Sequence, residues 1–239
     1  MNKFFKVFLT VCFLASAVAL FIFSPYFRVR DITVAGNEFI YADEIIGRSG
    51  ITTSSNLLLL NTREARKGIM GNFYVDGAEF VKNYPGGIEI QIRVRRLSGY
   101  VEYMQGTFLF IDENGRVIEI NSVLSGNYPV VRGLKFERFR LGEILEVEDS
   151  AAFKTVVRYA RLLNKYQLSD RISNIDVSDN ANTRIMFHQI EFNVGDDADA
   201  DEKIRTMVEV MENLPNASMI KGQMDLREIR GQYVLKFYG

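Results

Sequence analysis

Residues Val7 to Phe27 form 21 consecutive positions without a charged side chain, and no other feature restricts the fold as much. At about 1.5 Å per residue a helix of that length spans roughly 31 Å, close to the hydrocarbon thickness of a bilayer. A cleaved signal peptide competes, because "ASA" at 15–17 resembles a small-residue cleavage site. Cleavage there would leave the apolar "VALFIF" at the mature end, and the run is long for a signal peptide's central region. A buried helix of a soluble fold is the remaining alternative. The expectation is an uncleaved anchor over residues 4–24. Lys3 and Lys6 on one side are matched by Arg28 and Arg30 on the other, so charge alone does not orient it. The six residues before the run are expected on the cytoplasmic side and the bulk of the chain outside the cytoplasm.

At 239 residues the chain has room beyond the anchor for one or two small domains. Its 47% hydrophobic and 25% charged shares are those of globular protein, not of a disordered segment. A net charge of -1 supplies no electrostatic footprint for nucleic acid. The one cysteine, Cys12, lies within the apolar run, which removes an intrachain disulfide framework without fixing the compartment.

After the anchor, residues 28–95 predict a strand–helix–helix–strand–strand unit. "RDITV" is a strand, followed by a Gly-Asn turn, and "ADEIIGRS" a helix contributing Ile45 and Ile46. A second helix opens at "NTRE", where Asn61 can cap and Glu64 stands three residues on. Ala65 and Ile69 then share a face. "VDGAEFVKNY" is a strand and "YPGG" a turn. In "GIEIQIRVR", Ile88, Ile90, Ile92 and Val94 alternate with Glu89, Gln91, Arg93 and Arg95, giving one buried and one wet face. A three-stranded sheet with two helices on its apolar face fits.

From Leu97 strands dominate. "TFLFIDENGRVIEI" reads as a hairpin turning at Asn114-Gly115, and "YPVVRG" as a short apolar segment closed by Gly133. A helix over "DSAAFKTVVRYARLLNKY" carries Phe153, Val156, Val157, Ala160 and Leu163 at helical spacing. Short strands follow at "SNIDVS", "TRIMFH" and "QIEFNVG", then a helix with Ile204, Met207, Val208 and Met211 ending before Pro215. In the last segment Tyr233, Leu235 and Phe237 alternate with Val234, Lys236 and Tyr238.

Catalytic and metal chemistry find little footing, and neither catalytic residues nor a cofactor is expected. His188 is the only histidine and Cys12 lies within the anchor, so neither a zinc site nor Cys/His nucleophilic chemistry can be assembled. "DDADADE" at 196–202 resembles a calcium loop. Counted from Asp197, however, the sixth position is Glu202 instead of Gly and the twelfth Val208 instead of Glu. An acidic helix N-terminus is the simpler account. "RVRR" at 93–96 reads as a solvated edge, and "NAS" at 216–218 is a short glycosylation motif with many chance matches.

This order of elements resembles the FtsQ/DivIB family, bacterial cell-division proteins with one membrane helix, a POTRA domain and a β domain. "VRDITVAGN" then "ADEII", "SNLLLLNT" and "NYPGGIEIQIRVRR" are similar to the family's POTRA elements. "FLFIDENGRVIE", "YPVVRG" and "DEKIRTMVEVMENL" followed by "MDLR" are similar to its β domain. Each motif is weak alone, but the order is specific and runs from about residue 4 to 238. One departure is "VRRLSG" at 94–99, which lacks the acidic residue the family usually places before an Arg there. Long charged or flexible tails found in many members are not read in this sequence, so tail activities are not expected.

The resemblance implies an α+β fold: anchor within residues 1–27, a β-α-α-β-β POTRA domain over 28–96, and a mostly antiparallel β domain with flanking helices over 97–239. It further implies a non-enzymatic divisome scaffold in the cytoplasmic membrane, enriched at the septum. FtsB/DivIC-like and FtsL-like bitopic proteins would be its partners, with no nucleic acid and no small-molecule substrate. A sheet edge can accept a partner strand through its open N–H and C=O groups. The segment Gln232, Tyr233, Val234, Leu235, Lys236 and Phe237 is the candidate, anchored by Tyr233 and Phe237 or by Val234 and Tyr238. The same alternation also suits an ordinary closing strand of the core. The competing functions are a POTRA-containing assembly or secretion factor and an anchored envelope enzyme.

Overall fold

The computed structural model describes residues 3–104, 106–124, 126–214, 220–228 and 235–238, and the chain divides into two compact units, residues 1–95 and 96–239.

The first unit begins with α1 (Lys3–Ile22), none of whose side chains is buried by protein. It is long and apolar enough to cross a membrane. The helix does not run into a free linker. A single 3₁₀ turn at Pro25–Phe27 follows, capped by the Ser24 hydroxyl, which accepts from Tyr26 N–H at 3.2 Å. Phe27 and Val29 are already core residues. Asn56 Nδ2 donates to the Ile22 carbonyl at 2.7 Å, satisfying one of the acceptors a helix end leaves open.

Three strands follow: β1 (Asp31–Ala35), β2 (Val75–Asn83) and β3 (Gly87–Val94), in the order β1-β3-β2. β1 pairs with β3 in parallel and β2 with β3 antiparallel. Between β1 and β2 lie α2 (Ala42–Ser49) and α3 (Thr62–Ile69). The expected alternation holds: Ile88, Ile90 and Ile92 are buried against Ile45, Ala65 and Ile69. Each such isoleucine contributes about 2 kcal/mol of transfer free energy. Asn61 caps α3, its Oδ1 accepting from Glu64 N–H at 3.2 Å. Only half of the expected capping box forms, since Glu64 meets the Asn61 side-chain amide at 3.4 Å.

Arg95 departs from expectation. Its side chain is 11% exposed, with Nη1 2.7 Å from Asp76 Oδ1, while Arg93 Nε lies 3.1 Å from Asp76 Oδ2. Asp76, on β2, thus pairs with both arginines. Alternation correctly put Arg93 and Arg95 on one face but could not show that an acid crosses to them.

The second unit is a nine-stranded sheet flanked by two helices. In chain order its strands are β4 (Leu97–Met104), β5 (Thr107–Asp112), β6 (Val117–Asn121), β7 (Val130–Arg132), β8 (Ile172–Asp176), β9 (Arg184–Phe187), β10 (Ile190–Asn193), β11 (Gly222–Asp225) and β12 (Leu235–Phe237). In space they run β12-β11-β10-β9-β8-β7-β4-β5-β6. Five neighbouring pairs are antiparallel and three, β4–β7, β7–β8 and β10–β11, parallel. Two of the parallel pairs arise where a helix carries the chain back, α4 (Ser150–Lys165) between β7 and β8 and α5 (Ala200–Asn213) between β10 and β11, while the β4–β7 pair closes over the β5–β6 hairpin. Asp149 caps α4, accepting from Ala151 and Ala152 N–H at 2.8 and 3.1 Å. The β5–β6 turn is built by Asp112, whose Oδ1 accepts from Asn114 and Arg116 N–H at 2.8 and 2.9 Å.

Ile204, Met207 and Met211 of α5 are buried, and so, against its charge, is Lys203 at 1% exposure. Its ammonium donates to the Asp196 carbonyl at 3.2 Å and lies 3.5 Å from Asp196 Oδ1. Tyr159 of α4 donates to the same carbonyl at 2.7 Å. Burial, helped by the charges of Asp196 and Asp197, pushes its phenol well above the usual tyrosine range. The acidic stretch at 196–202 is therefore held by protein groups. Asp201 likewise meets Lys165 at 2.7 Å and Arg205 at 3.1 Å. Because Tyr159 also holds the carbonyl, Lys203→Met is expected to cost within about 1 kcal/mol. Asp196→Ala removes a largely exposed carboxylate but leaves that carbonyl to the ammonium, so it is expected to cost somewhat more, about 1–2 kcal/mol. Urea unfolding of both variants measures the difference.

Candidate partner-binding edge

β12 has β11 on one side and stands at the end of the strand order. Its ladder sets Gly222 opposite Phe237, Gln223 opposite Lys236 and Met224 opposite Leu235. Tyr238 N–H donates to the Lys221 carbonyl at 2.9 Å. In an antiparallel strand both backbone polar groups of a residue point the same way and alternate along the chain. Tyr238 and Lys236 thus turn theirs toward β11, and Phe237 and Leu235 turn theirs to the side away from it, where no described strand pairs.

The side chains are sorted by the same pleat. Met224 is buried in the core, and Gly222, on that face, offers Phe237 no cross-strand side chain. Phe237 is accordingly 63% exposed. On the other face Tyr238 Oη donates to Gln223 Oε1 at 2.7 Å, and Gln223 Nε2 donates to Glu191 Oε1 at 3.1 Å. Tyr238 remains 55% exposed. Of the six residues singled out from the sequence, Leu235, Lys236 and Phe237 form β12, while Gln232, Tyr233 and Val234 lie outside the described residues, as does the "NAS" motif. Gln223 and Glu191 come from elements distant in sequence, and no local pattern marked them.

The strand beside the edge is fastened by Asp225 and Arg227. Arg227 Nη2 lies 2.6 Å from Asp225 Oδ2, and its Nη1 donates to Asn182 Oδ1 at 2.9 Å. The Arg227 hydrogen bonds hold the Asp225 carboxyl below its ordinary 3.8. Bonds from Asn182 and from Ala181 N–H lower Asp179 in the same way. For Asp176 burial acts upward, but the Ser178 hydrogen bonds and the Arg184 and Arg132 charges outweigh it. All three folded values lie below the unfolded one, so their stabilisation is complete above about pH 4 and is lost as pH falls through the folded values. The melting temperature is expected to fall over that range, with a smaller fall for Asp225→Asn, measured by circular dichroism.

An apolar helix of membrane length, a β-α-α-β-β unit and a mixed sheet whose last strand is paired on one side among the described residues together describe a POTRA-type protein with an N-terminal helix fit to be an anchor. Two family models match. The POTRA domain, FtsQ-type, covers residues 27–95, and the cell division protein FtsQ/DivIB C-terminal model covers residues 99–227, more than half of the chain. The chain belongs to the FtsQ/DivIB family of cell-division proteins. Among curated relatives, the cell division protein DivIB of Clostridium tetani is 27% identical over 189 residues, 78% of this chain and 71% of that one. DivIB of Clostridium botulinum strain Hall is 25% identical over 224 residues, 92% and 87% of the two chains. DivIB of Geobacillus kaustophilus is 30% identical over 136 residues, 56% and 52% of the two chains. The chain is thus a division protein, and its N-terminal helix fits single-pass anchoring.

Proposed function

We propose that this division protein is a non-enzymatic scaffold at the septum, linking other membrane-anchored division proteins outside the cytoplasm. Residues 28–96 and 97–239 are its two working parts. Its β12 edge takes a strand from a small bitopic partner of the FtsB/DivIC type, with an FtsL-like protein alongside. The supporting observation is the placement of β12, last in a nine-stranded sheet with Phe237 and Tyr238 exposed. Main-chain pairing supplies affinity in such an exchange and flanking aromatic side chains supply selectivity.

The test is affinity capture of the full chain from detergent-solubilised membranes, beside a variant whose open edge is blocked. Small bitopic coiled-coil proteins recovered by the first and lost by the second are the expected result. Outer-membrane barrel precursors in their place would favour the assembly-factor reading.

A further inference from the structure

α1 has 20 residues, which at about 1.5 Å each matches the hydrocarbon thickness, so its last turn lies where the headgroups begin. The POTRA segment at 55–57 is hydrogen-bonded to that point: Asn56 Nδ2 to Ile22 O at 2.7 Å, Leu57 N–H to Phe27 O at 2.8 Å, and Val29 N–H to Ser55 O at 2.9 Å. The β2–β3 turn is there too, since Arg30 N–H donates to Gly86 O at 2.8 Å and the Phe27 and Tyr84 ring centroids are 6.5 Å apart. Chain direction brings three separate segments to this end of the unit, at residues 23–30, 51–60 and 83–87.

Each segment leaves a large apolar or aromatic side chain uncovered. Phe23 is 71% exposed, Tyr26 59%, Leu59 52% and Tyr84 57%. Arg28 and Arg30 are exposed beside them. Aromatic rings next to cations, one helix-length from the far headgroups, are what the interfacial layer of a bilayer accommodates: apolar bodies enter the acyl boundary while guanidinium groups meet phosphates. Phe73 lies at the opposite end of the sheet, just before Val75, which pairs with Val94. β3 separates the two ends by roughly 25 Å.

We infer that this end of the POTRA unit is a lipid-binding foot, seated through Tyr26, Leu59 and Tyr84 in the interfacial layer of the membrane that α1 crosses. The occupant is phospholipid. A partner's membrane helix over the same side chains is the alternative that the experiment separates. The inference rests on α1 spanning the bilayer, and one probe tests that alone.

The chain has no tryptophan, so a single introduced one is an unambiguous reporter. Leu59→Trp, Tyr84→Trp, Phe73→Trp and Leu14→Trp full-length chains would be purified and reconstituted into vesicles of zwitterionic and anionic phospholipid. The lipid would be either unmodified or brominated high on the acyl chains. The first three positions are exposed, and unchanged melting confirms that each variant folds. Leu59→Trp and Tyr84→Trp are expected to show blue-shifted emission and to lose most of it in brominated lipid. Phe73→Trp is expected to lose none. Emission at 59 and 84 matching that at 73 overturns the foot, whether the side chains stand in water or need a protein partner. Quenching at only one of the two overturns it as well. Leu14→Trp must be quenched; if it is not, the span fails and the foot falls with it, a pattern distinct from quenching at 14 without quenching at 59 and 84.

Discussion

A Phe237→Pro chain is expected to lose its division partner while keeping its fold. Proline removes a backbone N–H, and at residue 237 that N–H faces away from β11, as the Tyr238–Lys221 bond fixes by alternation. The existing ladder keeps its bonds, and proline is tolerated on an edge strand whose N–H side faces solvent. An incoming strand would find a missing donor and a pyrrolidine ring where it must approach. Losing one such bond and the register around it is expected to weaken binding roughly tenfold or more. Phe237→Ala removes the ring but leaves the donor, so a smaller loss is expected. Lys236→Pro makes the contrast: its N–H points into the ladder, and β12 itself should come away. Capture yield for the three variants, read beside their melting curves, separates an edge that receives a strand from one that is only core. Full recovery of partner by Phe237→Pro would move the docking site elsewhere.

Gly36→Ala is expected to destabilise the POTRA unit by roughly 3 kcal/mol. The residue sits at φ +75, and a Cβ there would lie 2.3 Å from the Ile92 carbonyl oxygen on β3. Two costs combine, the positive φ and a clash with backbone that cannot step aside without disturbing the β1–β3 pairing. Gly50 isolates the first of them. It closes α2 at φ +66, and a Cβ added there would meet nothing within 4 Å, so Gly50→Ala should cost only about 1 kcal/mol. Denaturant unfolding of the two variants gives the difference, and equal costs would show that Ile92 yields.

Elements governed by local signals were legible in the sequence. The β3 alternation, the Asn61 cap and the N-terminal apolar helix depend on neighbours within a few residues, and each forms where expected. What escaped depends on atoms brought from far along the chain. Lys203 lies on the buried face of α5 because a carbonyl seven residues earlier, shared with Tyr159 of α4, satisfies its ammonium; a hydropathy period has no term for that. Arg95 is covered because Asp76 stands on the neighbouring strand. The edge shows the same division. Alternation from Tyr233 to Tyr238 announced a strand, but its place beyond β11, and so which backbone groups face outward, required the sheet order.

The hydrogen bond from Asn56 to the last turn of α1 has a mechanical consequence. With α1 set in a bilayer, that bond would tie the sheet to the helix and make the unit a lever whose fulcrum lies in the membrane. A change of about 10° in helix tilt, well inside the range membrane helices adopt, swings the far end of a 25 Å sheet by roughly 4 Å. Tilt answers to bilayer thickness, so for a spanning α1 local thinning or thickening would be geared into displacement of the end where β3 finishes.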